Sequence, residues 1–467
     1  MRVFSRLTAA FLLFVPLLII GSCAGENQIP KADFYIAATG DDSNPGTYKK
    51  PFATLARARD AVRKLKNNQP EKDIRVLIRG GTYRFEDTVV FSLDDSAGEG
   101  RTITYAAYPG ETPVFTPGIP IKGWTKSATI PDGIPDKARG SIWKAEVPEK
   151  LGLFFTLYDG EKRLPRARSA GFRPTNGDNS WEYFMSMFSD PENRYTIHFP
   201  AERMKNWSNL KDVEVLLIPT AAWALNILPL ESVDEEKHIA RTTEPGTYPI
   251  GKALFMPDDF LSIWVENVYE ALDEPGEWVL DTAARTIYLW PKRETPGEGI
   301  VAPMLTELLR IEGGIDYDGP VDTPVKNLVF RGITFTHGDR YKWEADRIGW
   351  GLQHDWEMFD RPSAMVRLRG AENCAIENCT ITNAGSTGIR LDLHCRNNRI
   401  TGCEIARLGG VGILLNGYGF GTKDVNRGNE ISNNQIHHIG QIFRQSAAVF
   451  VWQSGENHSE YNLIHLT

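Results

Sequence analysis

No lysine- or arginine-rich block runs through the body of this chain, and its 52 basic residues are outnumbered by 60 acidic ones, for a formal charge of -8. Duplex binding rests on basic patches that displace counterions, so nucleic acid is not an expected partner. There is no phosphate-binding glycine loop of the Gly-x-x-x-x-Gly-Lys-Ser/Thr kind and no Gly-x-Ser-x-Gly elbow. Metal-ligand spacing is lacking too: "HDWE" matches no zinc pattern, and His437 and His438, adjacent on a strand, are expected to point to opposite faces. No metal and no cofactor is therefore expected. Cysteine is scarce: Cys23 stands near the start, and Cys374, Cys379, Cys395 and Cys403 crowd one region.

What is present reads as globular, with 41% hydrophobic and 24% charged residues over 467 positions. That length admits two to four domains or one extended repeat architecture. Trp (12), Tyr (15) and Phe (22) are generous, and many fall in polar, Gly-rich stretches. Aromatic faces among polar groups suit sugar rings, and they also serve to fill a core.

Residues 1–23, "MRVFSRLTAAFLLFVPLLIIGSC", carry Arg2 and Arg6, then an apolar run, then small residues. This is the pattern of an export signal. Its end, "IGSC", resembles the lipobox of bacterial lipoproteins, which implies lipidation of Cys23, a membrane anchor, and a place in the periplasm or on the cell surface. An ordinary signal peptide or a single membrane anchor is the rival, but the run is short for a span. Residues 24–32 read as a tether.

Residues 33–144 open with a strand-like run, a turn cluster and then Leu55, Ala58, Val62 and Leu65 at helical spacing behind Thr54, a candidate N-cap. "DDSN" lacks the spaced ligands of a calcium loop and reads as a turn. Short strands follow from Ile74. Residues 145–300 mix strands with longer loops and read as a separate β-rich insert.

Residues 301–467 hold an internal repeat. "KNLVFRGITFT", "ENCAIENCTIT", "RNNRITGCEIA", "RGNEISNNQIH" and "GENHSEYNLIH" align, with Phe330, Ile376, Ile400 and Ile431 in one column, broken by Ser459, and Phe335, Ile381, Ile405, Ile436 and Ile464 in another. Each unit has too little apolar surface to fold alone, and stacking makes one continuous core. Short strands with no helix between them predict an all-β, right-handed parallel β-helix with an N-terminal capping helix. A leucine-rich repeat would need a leucine-dense consensus that is absent. Cys379 shares a column with Ile333, Cys403, Asn434 and Asn462, which predicts an asparagine ladder. A Cys379–Cys403 disulfide stays open at that spacing, whereas a Cys374–Cys379 pair is disfavoured.

"FYIAATGDDSNPGTYKKPFATLARARDAVR", "RVLIRGGTYRF", "ITYAAYPGETPVF" and "IKGW" together resemble bacterial β-helix proteins of glycoside hydrolase family 141, over nearly all of the chain after its leader. The resemblance implies action on plant cell-wall glycans such as pectin and xylan, and an insertion domain. "TPGIPIKGW" stands where a double glycine is usual. The carboxylates proposed as catalytic in relatives lie in a stretch resembling Asp-x-Gly-Ala-x-Tyr, which does not occur before Thr467. The repeat also stops without a capping unit. The expectation is a chain incomplete at its C-terminal end and lacking part of its catalytic apparatus.

Glycosidases use two carboxyl groups, one protonated and one ionised. Residues 336–362 form a long excursion holding His337, Asp339, Trp343, Trp350, His354, Trp356 and Asp360, a mix suited to sugar stacking and hydrogen bonding, or else to anchoring the loop itself. Arg390, Asp392 and His394 alternate on one strand and share a face, which is expected to line a groove or to be an ordinary exposed polar face. Asp392 is the one catalytic candidate. Asn416, Tyr418, Arg444 and Trp452 complete the expected sugar-binding set. Three functions stay open: a lipid-anchored polysaccharide hydrolase, a polysaccharide lyase, and a non-catalytic glycan-binding or adhesion protein.

Overall fold

The computed structural model describes residues 29–127, 131–178, 180–342, 360–419 and 421–467. Cys23 and the loop residues Trp343, Trp350, His354 and Trp356 lie outside the described residues.

Three parallel sheets are built by a chain that visits them in turn. The first stacks Phe34–Ile36, Ile74–Ile78, Ile103–Ala107, Leu328–Arg331, Ala375–Glu377, Arg399–Thr401, Glu430–Ser432 and His458–Glu460. The second stacks Gly81–Arg84, Pro113–Thr116, Thr334–Gly338, Thr380–Ala384, Glu404–Leu408, Gln435–His437 and Leu463–His465. The third stacks Val89–Phe91, Leu309–Glu312, Ala364–Glu372, Thr387–Arg396, Ile413–Asn416 and Val449–Trp452. Register matches the repeat columns: Phe330 pairs with Ile376, Ile376 with Ile400, Ile400 with Ile431 and Ile431 with Ser459. Phe335, Ile381, Ile405, Ile436 and Ile464 pair in the same way. Apart from Ser459 and Ile464 in the last coil, these residues are buried in one axial core.

The Asn-Cys dipeptides are corners of this solenoid. On either side of each first-sheet strand one residue adopts positive φ: Asn373 (53°) and Asn378 (50°) in one coil, Asn397 (53°) and Gly402 (67°) in the next, Gly428 (66°) and Asn433 (54°) after that. Asn and Gly are the residues that enter this region at least cost. The residue after each corner turns inward. Cys379, Cys403, Asn434 and Asn462 occupy one inward slot, where the Cys403 N–H donates to the Asn434 side-chain oxygen at 3.0 Å and the Asn434 N–H donates to that of Asn462 at 3.0 Å. A second ladder, not read from the sequence, runs through Cys374, Asn398, Asn429 and Asn457, with each backbone N–H donating to the next asparagine oxygen at 3.0 to 3.1 Å. Cys374, Cys379, Cys395 and Cys403 are all free thiols and buried, so the Cys379–Cys403 disulfide left open by the spacing is not formed.

The helix Leu55–Asn68 starts where the sequence placed it, with the Thr54 side chain accepting from the Arg57 N–H at 3.1 Å. It buries Leu55, Ala58, Ala61 and Val62 against the first coils and so covers the start of the axial core.

Between the second and third sheets the chain leaves the solenoid twice on adjacent coils. The first departure is the insert, whose antiparallel sheets enclose cores of their own. It begins earlier than residue 145. Gly118–Pro120 pairs with Ile300–Pro303, Thr125–Lys126 pairs with Trp143–Glu146, and the latter pairs with Thr286–Leu289. The sequence boundary fell late because these strands resemble the short strands before them. The second departure follows Thr334–Gly338 on the next coil, which sets its first residues against the insert.

Candidate functional site

That contact consumes two residues read as sugar ligands or loop carboxylates. His337 places Nδ1 3.1 Å from Thr116 Oγ1 and Nε2 2.9 Å from the Gly160 carbonyl, with its ring against Tyr158. Burial lowers its pKa. Asp339 accepts from the Thr156 hydroxyl at 2.8 Å and from the backbone N–H of Phe155 and Arg340. Burial still pushes its carboxyl up to about 6. Next to it, Glu214 of the insert is held between Arg166 and Arg340, all three buried. His337 and Asp339 therefore dock the insert and do not line a groove.

Arg390, Asp392 and His394 do share the outward face of the third sheet, as the alternation required. They are not exposed: Arg390 and Asp392 have no accessible surface and His394 has 8%. Arg390 donates to Asp392 at 2.9 to 3.1 Å and to the Ser363 hydroxyl at 2.6 Å. Arg367, paired in register with Arg390, donates from Nε to Asp392 at 2.5 Å. A carboxylate sealed between two guanidiniums has no free lone pair facing solvent, so Asp392 is corrected from catalytic candidate to anchor of this face.

The anchor belongs to a larger array. Arg367 and Arg369 both hold Asp360, Arg369 at 2.5 to 2.8 Å. Arg369 also reaches Glu312 at 3.3 Å, and Arg310 bonds Glu312 at 3.1 Å and Glu307 at 2.8 Å. The arginines hold the Asp360 carboxyl far below the usual carboxylate range. Glu307 is the opposite case. Its Oε1 accepts from Arg310, but its Oε2 is buried without a hydrogen-bond partner, with Arg367 4.0 Å away. Burial pushes its carboxyl up to about 7 against the pull of Arg367 and Arg310. A cavity of about 430 Å³ borders it, and Thr306, Lys342 and Arg361 share the lining. Glu307 was missed in the sequence without a local signal, and Arg310, Arg367 and Arg369 were missed despite one. The signal was there: "LRIE" and "VRLRG" alternate charge with apolar residues at the same period as "IRLDLH".

Asn416 continues the Asp392 column and pairs with Trp452 on the following coil. Its side-chain amide is buried and neither amide atom has a partner. Trp452 is half-buried at the edge of this face. Tyr418 is buried and donates to Asp322 at 2.8 Å; Lys423 and His394 bond the same carboxylate, and His394 also bonds Glu372 at 2.9 Å. Tyr418 thus fastens the loop that follows the third sheet. Arg444 is far from the array in role: it lies over the Trp264 ring of the insert at 4.9 Å. His437 and His438 do not diverge as expected. Positive φ at His438 (51°) turns its ring back to within 2.8 Å of His437, Nδ1 to Nδ1. Among the described residues no cluster of three or more histidine, cysteine, aspartate or glutamate side chains could hold a metal ion.

A family model described as "Right handed beta helix region" matches residues 318–466. The fold is a right-handed parallel β-helix. A solved structure titled "Glycoside hydrolase" is similar over 90% of this chain and 75% of its own, with a TM-score of 0.68 and 22% identity. At that identity the likeness is one of fold. A second, titled "The complex structure of XylC with xylose", aligns at a TM-score of 0.44 and 13% identity over 93% of this chain and 58% of its own, too weak to support an argument. No curated protein sequence matches the chain.

Proposed function

We propose that this β-helix protein hydrolyses a polysaccharide, with Glu307 as the proton donor. One observation carries the reading. Two carboxyls beside the Arg367 guanidinium, Glu307 at 4.0 Å and Asp360 hydrogen-bonded to it, are driven in opposite directions, the first pushed up to about 7 by burial and the second held far down, and Glu307 borders an open cavity. Divergent carboxyls of this kind mark acid and base assignments. Glu307 would protonate the glycosidic oxygen as its bond to the anomeric carbon breaks, water would add to that carbon and return its proton to the Glu307 carboxylate, while Asp360 and its arginines hold sugar hydroxyls. Asn416 and Trp452 would extend the contact along the sheet, the amide accepting or donating to hydroxyls and the indole stacking on a ring. The test is incubation with pectic and xylan polysaccharides. Hydrolysis releases reducing sugar without unsaturated product, and Glu307→Gln abolishes it. Unsaturated product absorbing in the ultraviolet would instead establish a lyase.

The sealing of Asp392 and the pairing of Asp360 favour a second reading, a glycan-binding protein without turnover. It predicts retention on the same polysaccharides with no product. In either case we infer lipidation at Cys23 and a membrane-anchored, exported protein. Labelling with a fatty-acid analogue tests this, and Cys23→Ala is expected to abolish the label.

A further inference from the structure

The seam between the insert and the coils holds a second cleft, of about 610 Å³, away from the Glu307 array. Its walls are the hairpin Leu157–Asp159 and Lys162–Leu164, the 291–297 loop, and Asn383, Arg407, His438 and Gln441 of the second-sheet side. Five cationic side chains and two carboxylates line it, in a chain of net charge -8. The two carboxylates are already engaged: Asp159 with Arg293, and Glu161 with Arg407 at 3.5 Å. Among the described residues, Lys162, Arg163 and Lys292 have no carboxylate partner, whereas the cleft's other two cations pair with Asp159 and Glu161. Arg163 donates from Nη2 to the Gln441 carbonyl at 3.2 Å, while its Nε is buried with no acceptor. The Lys292 stem crosses Gly276 so closely that a Cβ there would lie 2.4 Å from its Cε, which keeps the ammonium on this wall.

Like charges gathered in a partly desolvated cleft repel one another, and an unpaired guanidinium N–H without an acceptor costs free energy. An anionic ligand relieves both, and a guanidinium with neighbouring ammonium groups suits carboxylate or sulfate oxygens. We propose that this cleft binds an anionic sugar chain, through carboxylate or sulfate groups held by Lys162, Arg163 and Lys292. The sugar nature of the ligand rests on the glycan reading above; its charge rests on the cleft alone.

Calorimetry on the full chain tests it with three probes of equal length: a uronate oligosaccharide, a sulfated one and a neutral one. One acidic probe is expected to bind at least tenfold more tightly than the neutral one and to weaken with added salt. Which acidic probe binds identifies the group. The exposed double variant Lys162→Gln/Lys292→Gln is expected to lose about tenfold in that affinity, and Arg163→Gln at least as much. Equal affinity for neutral and acidic probes, or no change in the double variant, overturns the proposal. Turnover is read separately: a chain that binds the acidic probe yet releases no product sinks the hydrolase reading and leaves the cleft standing.

Discussion

Asn434 and Asn462 stand one coil apart, and both the backbone N–H and the side-chain amide of Asn434 donate to the Asn462 side-chain oxygen at 3.0 Å. The Asn434 amide also reaches the Ile400 carbonyl at 3.0 Å. One side chain thus satisfies groups on the coil below and binds the coil above, inside the core. Asn434→Ala would take the side-chain donor from the Ile400 carbonyl and the acceptor from the Cys403 N–H, and leave the Asn462 oxygen with the backbone N–H alone. A loss of about 2–4 kcal/mol is expected, from unpaired buried groups together with lost bonds. Urea unfolding followed by circular dichroism measures it. Asn434→Asp, isosteric but charged, should be at least as damaging, because it removes the donors and buries a charge.

The corner positions make an opposite prediction. At the corners flanking the first-sheet strands, every coil from Asn373 to Asn433 uses Asn or Gly, but the last coil uses Glu456 (54°) and Tyr461 (55°). A bulky side chain in that region costs about 1–2 kcal/mol relative to the ordinary helical basin. Tyr461 is 79% exposed and has little packing to lose. Tyr461→Gly should therefore stabilise the last coil. Amide exchange within His458–Glu460 and Leu463–His465 is expected to slow by several-fold. Faster exchange would mean that the ring contributes more than the corner costs.

The solenoid was legible in the sequence because its determinants are local and repeated. Ile376, Ile400 and Ile431 recur in one column, and Asn373 and Asn378 mark the corners. The second ladder through Asn398, Asn429 and Asn457 was overlooked although three of its members share a letter, because the apolar columns and the Cys379 column set the alignment. The outward face was half legible. Alternation put Arg390, Asp392 and His394 together, but burial of that face depends on segments far away in sequence, including Asp360 and the loop bearing Asp322. The perturbation of Glu307 was not legible at all. It arises from an oxygen without a partner, a property of the assembled coils and not of "TELLRIE".

Arg367 is the hub of the array, donating to Asp392 and Asp360 with Glu307 4.0 Å off. Arg367→Met keeps the stem volume and removes the charge. It leaves Asp392 with Arg390 alone and removes one of the two arginines on Asp360. Breaking a buried pair from one side costs roughly 3–5 kcal/mol. Thermal unfolding should show a large drop in Tm, with expression reduced. Arg367→Lys should recover only part of it, because an ammonium cannot span two carboxylates as a planar fork does.

Glu307 makes stability depend on pH in a definite sense. Its carboxyl rises from an ordinary value of 4.5 to about 7 on folding. The folded state therefore holds this proton more tightly than the unfolded state. The resulting contribution is fully present below about pH 4.5 and is lost as pH rises through 7. Over that window the wild type should lose about 3 kcal/mol relative to Glu307→Gln, which cannot titrate. Urea midpoints for the two proteins between pH 4 and 8 provide the comparison, and only their difference matters, since other groups titrate in both. Parallel curves would show that Glu307 ionises normally, and the same result would remove the proton donor from the proposed reaction. Converging evidence would come from activity. If Glu307 delivers the proton, turnover should fall as pH rises through 7, the same interval in which the stability difference develops.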